Sequence, residues 1–272
     1  MPLTSAHVDF DLKLAEFKIN GYTVLEDMIP VETIDAIQAA FLPLFAAVQA
    51  RETEIHDKGE QGDPRIGRGR LQTTNRYTLT LPFVAPFADP TLYEHPVILE
   101  FLDRLWRPDS YILTCYHSNT PCQGSTFQHW HRDTGIGREI PYVGLETVPI
   151  VGIKFPLVDT TEENGSFEVL PATQYLANPE YESRYNEILT KGNFPSAHRL
   201  NLKKGSMWIQ DVRTLHRGTP NNTPDPRPEL VLCYCRNWYS IEQNIEMPQA
   251  TYEALSARGQ QLLKRYDKVE WN

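Results

Sequence analysis

The sequence predicts a mainly β protein, a double-stranded β-helix (jelly roll) with N-terminal helices packed on one of its sheets. After residue 110 the chain consists of short apolar runs separated by Pro, Gly and Asn turns. Before that point the apolar residues follow helical spacing. Because 40 % of the residues are hydrophobic and only 22 % are charged, the chain can form a globular core rather than a disordered coil.

The first third of the chain predicts three helices. The first ends at Asn20-Gly21, a typical helix stop, and a β-rich run over residues 22–25 follows it. Pro30 begins the second helix, which we expect to break near Pro43. The third covers about residues 90–105, where apolar side chains recur at helical spacing.

Six strands are predicted downstream, with one or two weaker ones between them. They cover residues 111–116, 126–131, 150–158, 166–171, 207–211 and 230–238. The tail over residues 248–267 is polar and predicted helical. We therefore expect one domain over residues 1–272, with a jelly-roll core at about 110–240 and a helical front end at 1–109.

Charge and cysteine usage exclude several functions. With 26 Lys and Arg against 35 Asp and Glu, the net charge is −9, and no basic face is available for nucleic acid or an anionic membrane. The four cysteines, Cys115, Cys122, Cys233 and Cys235, do not suggest a disulfide framework. The longest apolar runs fall short of the roughly 18 residues of a membrane span. We expect a cytoplasmic protein, monomeric or homodimeric.

A candidate metal site begins at His131 and Asp133. Residues two apart in a strand point to the same face, so this imidazole and this carboxylate can reach one ion. His216 is the candidate third ligand, 216 − 133 = 83 residues later. Two histidines and one carboxylate leave three positions of an octahedron open, as in non-heme iron(II) oxygenases. Zinc accepts the same ligands, so the sequence leaves the metal open.

A second metal arrangement competes with this one. His129 shares a strand face with His131, which raises a His-x-His cupin site as an alternative. Such a site needs a glutamate shortly after the second histidine, where this chain has Gly135 and Ile136. The spacing therefore favours the His-x-Asp arrangement.

Ordered motifs over about residues 13–240 resemble the phytanoyl-CoA dioxygenase-like branch of the iron(II)/2-oxoglutarate-dependent oxygenases. They are the runs at 17–25, 130–133, 156–171, 204–206, 216–218 and 227–230. The resemblance implies iron(II) on His131, Asp133 and His216, with 2-oxoglutarate as cosubstrate and release of succinate and CO2. Hydroxylation is the implied default, with desaturation, epoxidation or rearrangement as variants, whereas the carboxylate of Asp133 disfavours halogenation.

The resemblance also assigns an arginine to the cosubstrate. In the family an arginine follows the distal histidine by about eleven residues, and 216 + 11 = 227 falls on Arg227. A guanidinium pairs in two places with the distal carboxylate of 2-oxoglutarate. Arg217 and Arg236 are nearby alternatives.

Two further cosubstrate residues are implied with less support. Family members often place a glutamine near the cosubstrate, and Gln128 stands at that position. Thr219 is a candidate for a hydrogen bond to the distal carboxylate. The family hydroxyl often lies one position earlier, however, where this chain has Gly218.

The substrate residues are the least determined. Residues 51–75 are rich in charges and glycines and predict a lid-like loop. Arg70 and Arg76 either meet a polar group of the substrate or belong to a solvated basic surface. Trp130 is a candidate pocket residue. Lys154, unusual in its apolar run, either faces inward as a polar contact or lies on an exposed sheet face.

The resulting hypothesis is a dioxygenase acting on a small molecule of specialised metabolism, because aromatic residues near the site suit an apolar substrate. A zinc-dependent hydrolase or isomerase on the same frame stays open as an alternative, since the ligands do not set the metal. A catalytically silent binding module is a third possibility, which the complete triad with Arg227 disfavours.

Overall fold

The computed structural model describes residues 7–51, 68–133, 147–176, 184–194, 196–239 and 245–270. Most of its strands form one antiparallel sheet of seven. They are β1 (Tyr22–Leu25), β2 (Arg68–Thr73), β3 (Arg76–Thr80), β4 (Tyr111–Pro121), β5 (Ile150–Pro156), β8 (Met207–Asp211) and β10 (Glu229–Arg236). Their spatial order is β1-β8-β5-β10-β4-β3-β2.

A smaller sheet covers one face of the larger one. It contains β6 (Phe167–Val169), β7 (His198–Leu200) and β9 (His216–Arg217) in the order β7-β6-β9. An isolated bridge adds His131 beside His216. The ring of Phe167 packs on Trp208 of the larger sheet, with centroids 5.6 Å apart. Two sheets packed in this way make the predicted jelly roll, which is confirmed.

Helices cover the other face of the larger sheet. They are α1 (Phe10–Asn20), α2 (Val31–Gln49), α3 (Pro90–Tyr93), α4 (Pro96–Trp106), α6 (Gln249–Glu253) and α7 (Ala257–Leu262). The helix α5 (Tyr185–Lys191) lies elsewhere, since Tyr185 packs with Leu170 and Leu215 beside the smaller sheet. The strand β11 (Glu246–Met247) pairs in parallel with β12 (Asp267–Lys268). Phe17 of α1 and Phe101 of α4 meet edge to face at 5.4 Å, and Phe45 of α2 meets Tyr77 of the sheet at 5.5 Å. The prediction of N-terminal helices packed on one sheet is confirmed.

Strand alternation divides the larger sheet into an apolar and a polar face. On β5, Ile153 and Phe155 join the helix-covered core, whereas Lys154 between them points the other way. Gln210 and Glu229 lie on the same polar face as Lys154. The candidate site therefore lies between the two sheets.

The structure corrects two helix boundaries. The predicted break near Pro43 is wrong, since α2 continues through it to Gln49. The buried side chains of Phe41 and Phe45 on either side of Pro43 compensate for the hydrogen bond that the ring removes. The third helix is divided into α3 and α4, because His95 caps a new helix that starts at Pro96.

One strand prediction and one loop prediction are also corrected. The strand over 126–131 is wrong apart from His131, because residues 126–130 follow an irregular path, in which the backbone N–H of Gln128 donates to the carbonyl of Gly218. The loop prediction for 51–75 is wrong for Arg68–Thr73, which pairs with β3. A tight turn makes this hairpin possible, with Asn75 at φ 49°. Residues 52–67 lie outside the described residues.

One described helix, α2, is long and apolar enough to cross a membrane. No single apolar run in the sequence reaches this length, because polar residues interrupt the apolar ones along α2. The side chains on its inner face, among them Ile34, Ile37 and Val48, are buried in the common core. Core helices pass the same test of length and composition. The four cysteines, all within the described residues, form no disulfide.

Candidate metal centre

Three side chains with metal-binding atoms meet between the sheets. The ligand atoms of His131, Asp133 and His216 all lie within 4.8 Å of one another. Oδ1 of Asp133 is 3.3 Å from Nε2 of His216 and 3.7 Å from Nε2 of His131. The two histidines exchange both backbone hydrogen bonds, each 3.1 Å, which places their imidazoles side by side.

Backbone carbonyls fix the orientation of both imidazoles. Nδ1 of His131 lies 2.7 Å from the carbonyl oxygen of His129, and Nδ1 of His216 lies 2.9 Å from that of Thr214. Donation by each Nδ1–H leaves the Nε2 lone pair directed toward Asp133. This is the arrangement that orients histidine ligands in metal sites.

The electrostatics keep Asp133 and His131 in the state that binds cations. Burial raises the pKa of Asp133, but the charges of His216 and Lys154 outweigh it and pull the pKa well below its usual value. Burial, with His216 beside it, lowers the pKa of His131 to about 4. At neutral pH the carboxylate is ionised and this imidazole is neutral, as metal ligands must be.

Arg227 presents unused hydrogen-bond donors in the same interior. It is 1 % exposed, and its Nη1 forms an ion pair with Oε2 of Glu229 at 3.1 Å. Its Nε and Nη2 are buried and have no hydrogen-bond partner. Trp208 donates from Nε1 to the other oxygen of Glu229 at 2.7 Å, which fixes that carboxylate. Unpaired buried donors are costly, so this guanidinium suits an anion.

A second buried arginine lies close to Arg227. Arg76 donates from Nη2 to the carbonyl oxygens of Thr219 and Thr126 at 2.7 and 3.3 Å. Its Nε and Nη1 are buried without a partner. Burial, together with the charge of Arg227, lowers the pKa of Arg76 to about 9. Two like charges held together in this way favour an anion between them.

The other predicted residues occupy different environments. Gln128 accepts a hydrogen bond from the backbone of Gly218 at 2.8 Å. Thr219 donates its hydroxyl proton to the carbonyl of Ser166 at 2.8 Å. Trp130 packs under the guanidinium of Arg217, whose central carbon lies 4.7 Å from the centroid of the indole ring.

Lys154 and Arg70 complete the predicted set. Of the two interpretations of Lys154 the inward one is correct: the residue is 2 % exposed, and its Nζ lies 3.9 Å from Oδ2 of Asp133. Arg70 pairs with Thr78 in the β2–β3 hairpin, and its side chain lies outside the described residues.

The alternatives to Arg227 are engaged elsewhere. Arg217 donates from Nε to Oε2 of Glu168 at 2.6 Å. Arg236 lies at the opposite end of β10 and contacts Trp238. Arg227 has two buried donors without a hydrogen-bond partner, Nε and Nη2, and Arg236 has one, its Nε. Of the two, Arg227 lies beside the triad, because the ring of Phe167 contacts both its guanidinium and His216.

Sequence reasoning missed Glu229 and Gln210. Glu229 follows Arg227 by two residues at the start of a strand, so the period of two already placed both on one face. Gln210 is a single amide in the apolar run of β8, the same kind of signal that drew attention to Lys154.

Comparison with known proteins gives a consistent result. The family model described as Phytanoyl-CoA dioxygenase (PhyH) matches residues 17–228. AviO1 from Streptomyces viridochromogenes Tue57 is similar in structure, with a TM-score of 0.59 and 17 % identity over 86 % of this chain and 97 % of that chain. The non-heme alpha-ketoglutarate-dependent epimerase SnoN from nogalamycin biosynthesis gives a TM-score of 0.55 and 17 % identity, covering 84 % of this chain and 82 % of its own.

The carbocyclase SnoK, also described as non-heme, alpha-ketoglutarate-dependent and from nogalamycin biosynthesis, gives a TM-score of 0.56 and 13 % identity over 87 % of both chains. At these identities the likeness establishes a shared fold. The family match extends from α1 to the residue after Arg227 and so includes all three members of the triad.

Proposed function

Because this chain belongs to the phytanoyl-CoA dioxygenase (PhyH) family, we propose that it is an iron(II)- and 2-oxoglutarate-dependent oxygenase of a small molecule. We assign the metal to His131, Asp133 and His216. The observation that carries the proposal is a metal-binding triad beside a buried, partly unpaired guanidinium. The ring of Phe167 links them, lying 5.0 Å from the guanidinium of Arg227 and 6.3 Å from the imidazole of His216.

The residues fit both groups that the family requires. Two imidazoles and one carboxylate match the donor set of non-heme iron(II) sites and leave coordination positions for other ligands. The unpartnered donors of Arg227 and Arg76 fit the distal carboxylate of 2-oxoglutarate. Iron and 2-oxoglutarate, when bound, supply the oxidation by O2 that releases succinate and CO2.

The protein's part in this reaction is to bind and position the reactants. Glu229 holds one edge of Arg227, so that its other edge stays directed at the cosubstrate. The carbonyl oxygens of Thr219 and Thr126 hold Arg76 in the same way. These contacts fix both guanidinium groups before the anion arrives, which lowers the entropic cost of binding it.

We propose hydroxylation of a specialised metabolite as the reaction, with desaturation, epoxidation or rearrangement as variants. The support for a specialised metabolite comes from structural neighbours described as nogalamycin biosynthetic enzymes, of which one is an epimerase and one a carbocyclase. A zinc-dependent hydrolase or isomerase is less favoured, because it has no need of a buried pair of arginines prepared for a dianion.

Anaerobic spectroscopy tests the proposal. We expect protein with ferrous iron and 2-oxoglutarate to show the weak visible charge-transfer band of chelated 2-oxoglutarate, and His216→Ala to lose it. His198→Ala is the matched control, because His198 lies outside the triad and contacts the hydroxyl of Tyr22. Absence of the band, together with no succinate formed from any candidate substrate, would refute the assignment.

A further inference from the structure

We propose that Lys154 is a positioning residue of the metal centre, which holds Oδ2 of Asp133 so that the carboxylate offers only Oδ1 to the ion. The inference rests on the proposed function, because it concerns the metal assigned to the triad. It also changes the expected role of Lys154 from a substrate contact to a determinant of coordination geometry.

Lys154 is anchored independently of Asp133. Its Nζ donates to Oε1 of Gln210 at 2.6 Å. The ammonium also lies 4.2 Å from the ring centroid of Trp208 and 4.9 Å from that of Phe167, within the range of cation–π attraction. With 2 % of its surface exposed, the side chain has almost no area to offer a substrate.

The two oxygens of Asp133 face different partners. Oδ1 lies against Nε2 of both His131 and His216, at 3.7 and 3.3 Å, whereas Oδ2 lies 3.9 Å from Nζ of Lys154. Because the ammonium attracts the oxygen nearest to it, rotation of Oδ2 toward the imidazoles is opposed. The fixed lysine thereby sets the rotation of the Asp133 carboxylate.

This orientation matters for the number of open coordination positions. Two histidines and a carboxylate bound through one oxygen leave three positions of an octahedron. A carboxylate bound through both oxygens fills one of these three. Since 2-oxoglutarate occupies two positions when it chelates a metal, Lys154 preserves the position that remains for O2.

Gln210 extends the same contact to a second ligand. Its Nε2 lies 2.9 Å from Nδ1 of His216 and donates at 3.5 Å to the carbonyl of Thr214, the same carbonyl that accepts the Nδ1–H of His216, so the amide that anchors Lys154 also packs on the imidazole. One polar chain on the inner face of the larger sheet therefore touches two of the three ligands. Contacts of this kind tune metal sites without binding the ion themselves.

The test uses Mn(II) and 2-oxoglutarate with the full-length chain. Crystal structures of the Mn(II)-loaded wild type and Lys154→Met give the distances from the metal to both oxygens of Asp133. We expect one short distance in the wild type and two in the variant. By calorimetry, the Kd of 2-oxoglutarate for the Mn(II)-loaded variant rises about tenfold, because 2-oxoglutarate then competes with Oδ2 of Asp133 for the open positions, whereas the Kd of Mn(II) itself does not rise.

Two further variants make the result decisive. Lys154→Gln removes the charge but keeps a polar side chain for Gln210, and we expect it to change both readouts in the same direction even if Lys154→Met fails to fold. Lys203→Met is the matched control, since Lys203 is exposed and pairs with Asp159 outside the site. It should leave both readouts unchanged.

The outcomes separate this inference from the proposed function. If the wild type binds neither Mn(II) nor 2-oxoglutarate, both are refuted. If it binds them with Asp133 attached through both oxygens, or if the folded Lys154 variants match the wild type in geometry and in 2-oxoglutarate affinity, only the role of Lys154 is refuted.

Discussion

Arg76 occupies the space that a side chain at Gly218 would need. A Cβ at position 218 would lie 2.5 Å from Nη1 of Arg76 and 2.6 Å from Oε1 of Gln128, distances that real Cβ contacts do not show. Gly218 is therefore required for room rather than for an unusual backbone conformation. A residue with a hydroxyl side chain, as the family often has here, would collide with Arg76. The glycine at 218 and the buried arginine on β3 therefore depend on each other.

Replacing Gly218 with alanine should thus weaken the cosubstrate site. The new methyl group displaces Arg76 and Gln128 from the positions they now share. We expect the Kd of 2-oxoglutarate for Mn(II)-loaded protein to rise by about tenfold or more, since a charge-assisted hydrogen bond contributes roughly 1.5–3 kcal/mol. Calorimetric titration measures this directly.

Gly152→Ala is the control for that experiment. A Cβ at Gly152 would make ordinary contacts, 3.6 Å from Val212 and 3.9 Å from Lys154. It should leave the Kd of 2-oxoglutarate unchanged. An unchanged Kd in Gly218→Ala as well would show that Arg76 has no part in holding the cosubstrate.

Arg227→Met should separate cosubstrate binding from metal binding. The substitution removes both unpaired donors but touches no member of the triad. We expect the Kd of 2-oxoglutarate to rise at least about tenfold, with the Kd of Mn(II) nearly unchanged. Arg236→Met is the matched control, because Arg236 lies at the far end of β10, the strand that begins two residues after Arg227. Equal effects of Arg227→Met on the two ligands would contradict its assignment.

The parts of the fold that could be predicted are those with a local physical cause. The end of α1 follows from Gly21, which adopts φ 82°, a left-handed conformation that glycine tolerates best. The strand Met207–Asp211 was predicted with its observed bounds, because its apolar run is short and bounded by turns. The continuation of α2 through Pro43 depends on packing from distant segments, which no local pattern reports.

The candidate site divides in the same way. His131 and Asp133 are visible in the sequence because they are two residues apart. The proximity of Arg76 and Arg227 is not visible in the sequence, because it depends on strand register. Arg76 lies opposite Pro121, and the carbonyl of Pro121 accepts the backbone N–H of Arg227. Contacts between residues so far apart in the chain need the folded sheet.

Thr219→Val tests whether this threonine is structural. Its hydroxyl is fully buried and donates to the carbonyl of Ser166, so the substitution leaves that carbonyl without its partner. We expect the free energy of unfolding to fall by about 1–3 kcal/mol, with the Kd of 2-oxoglutarate unchanged. Urea denaturation gives the first quantity and calorimetry the second.

Thr91→Val is the control, at an exposed hydroxyl that donates to Asp89, and it should lower the free energy of unfolding by less than about 0.5 kcal/mol. Loss of 2-oxoglutarate affinity in Thr219→Val would instead support a direct contact.

His95 makes the stability of the helical layer depend on pH. Its Nδ1 accepts the N–H of Val97 at 3.2 Å, as the N-cap of α4, and its Nε2 lies 3.1 Å from the carbonyl of Met28, to which it donates. One accepted and one donated hydrogen bond require the neutral ring. Burial lowers the pKa of His95 below 6.5, and the bond to Met28 opposes this only in part.

A depressed pKa in the folded state means that the unfolded chain binds the proton more tightly. The stabilising contribution of His95 is therefore fully present above pH 6.5, the ordinary value for histidine, and is lost as the pH falls toward the folded-state pKa. His95→Asn keeps a side-chain acceptor for Val97 but does not titrate. We expect the wild type to be the more stable protein at about pH 7.5 and this advantage to shrink by about pH 5.5, as measured by urea denaturation at both values. Groups that titrate equally in the two proteins cancel in the difference, so an advantage independent of pH would show that His95 is not the titrating group.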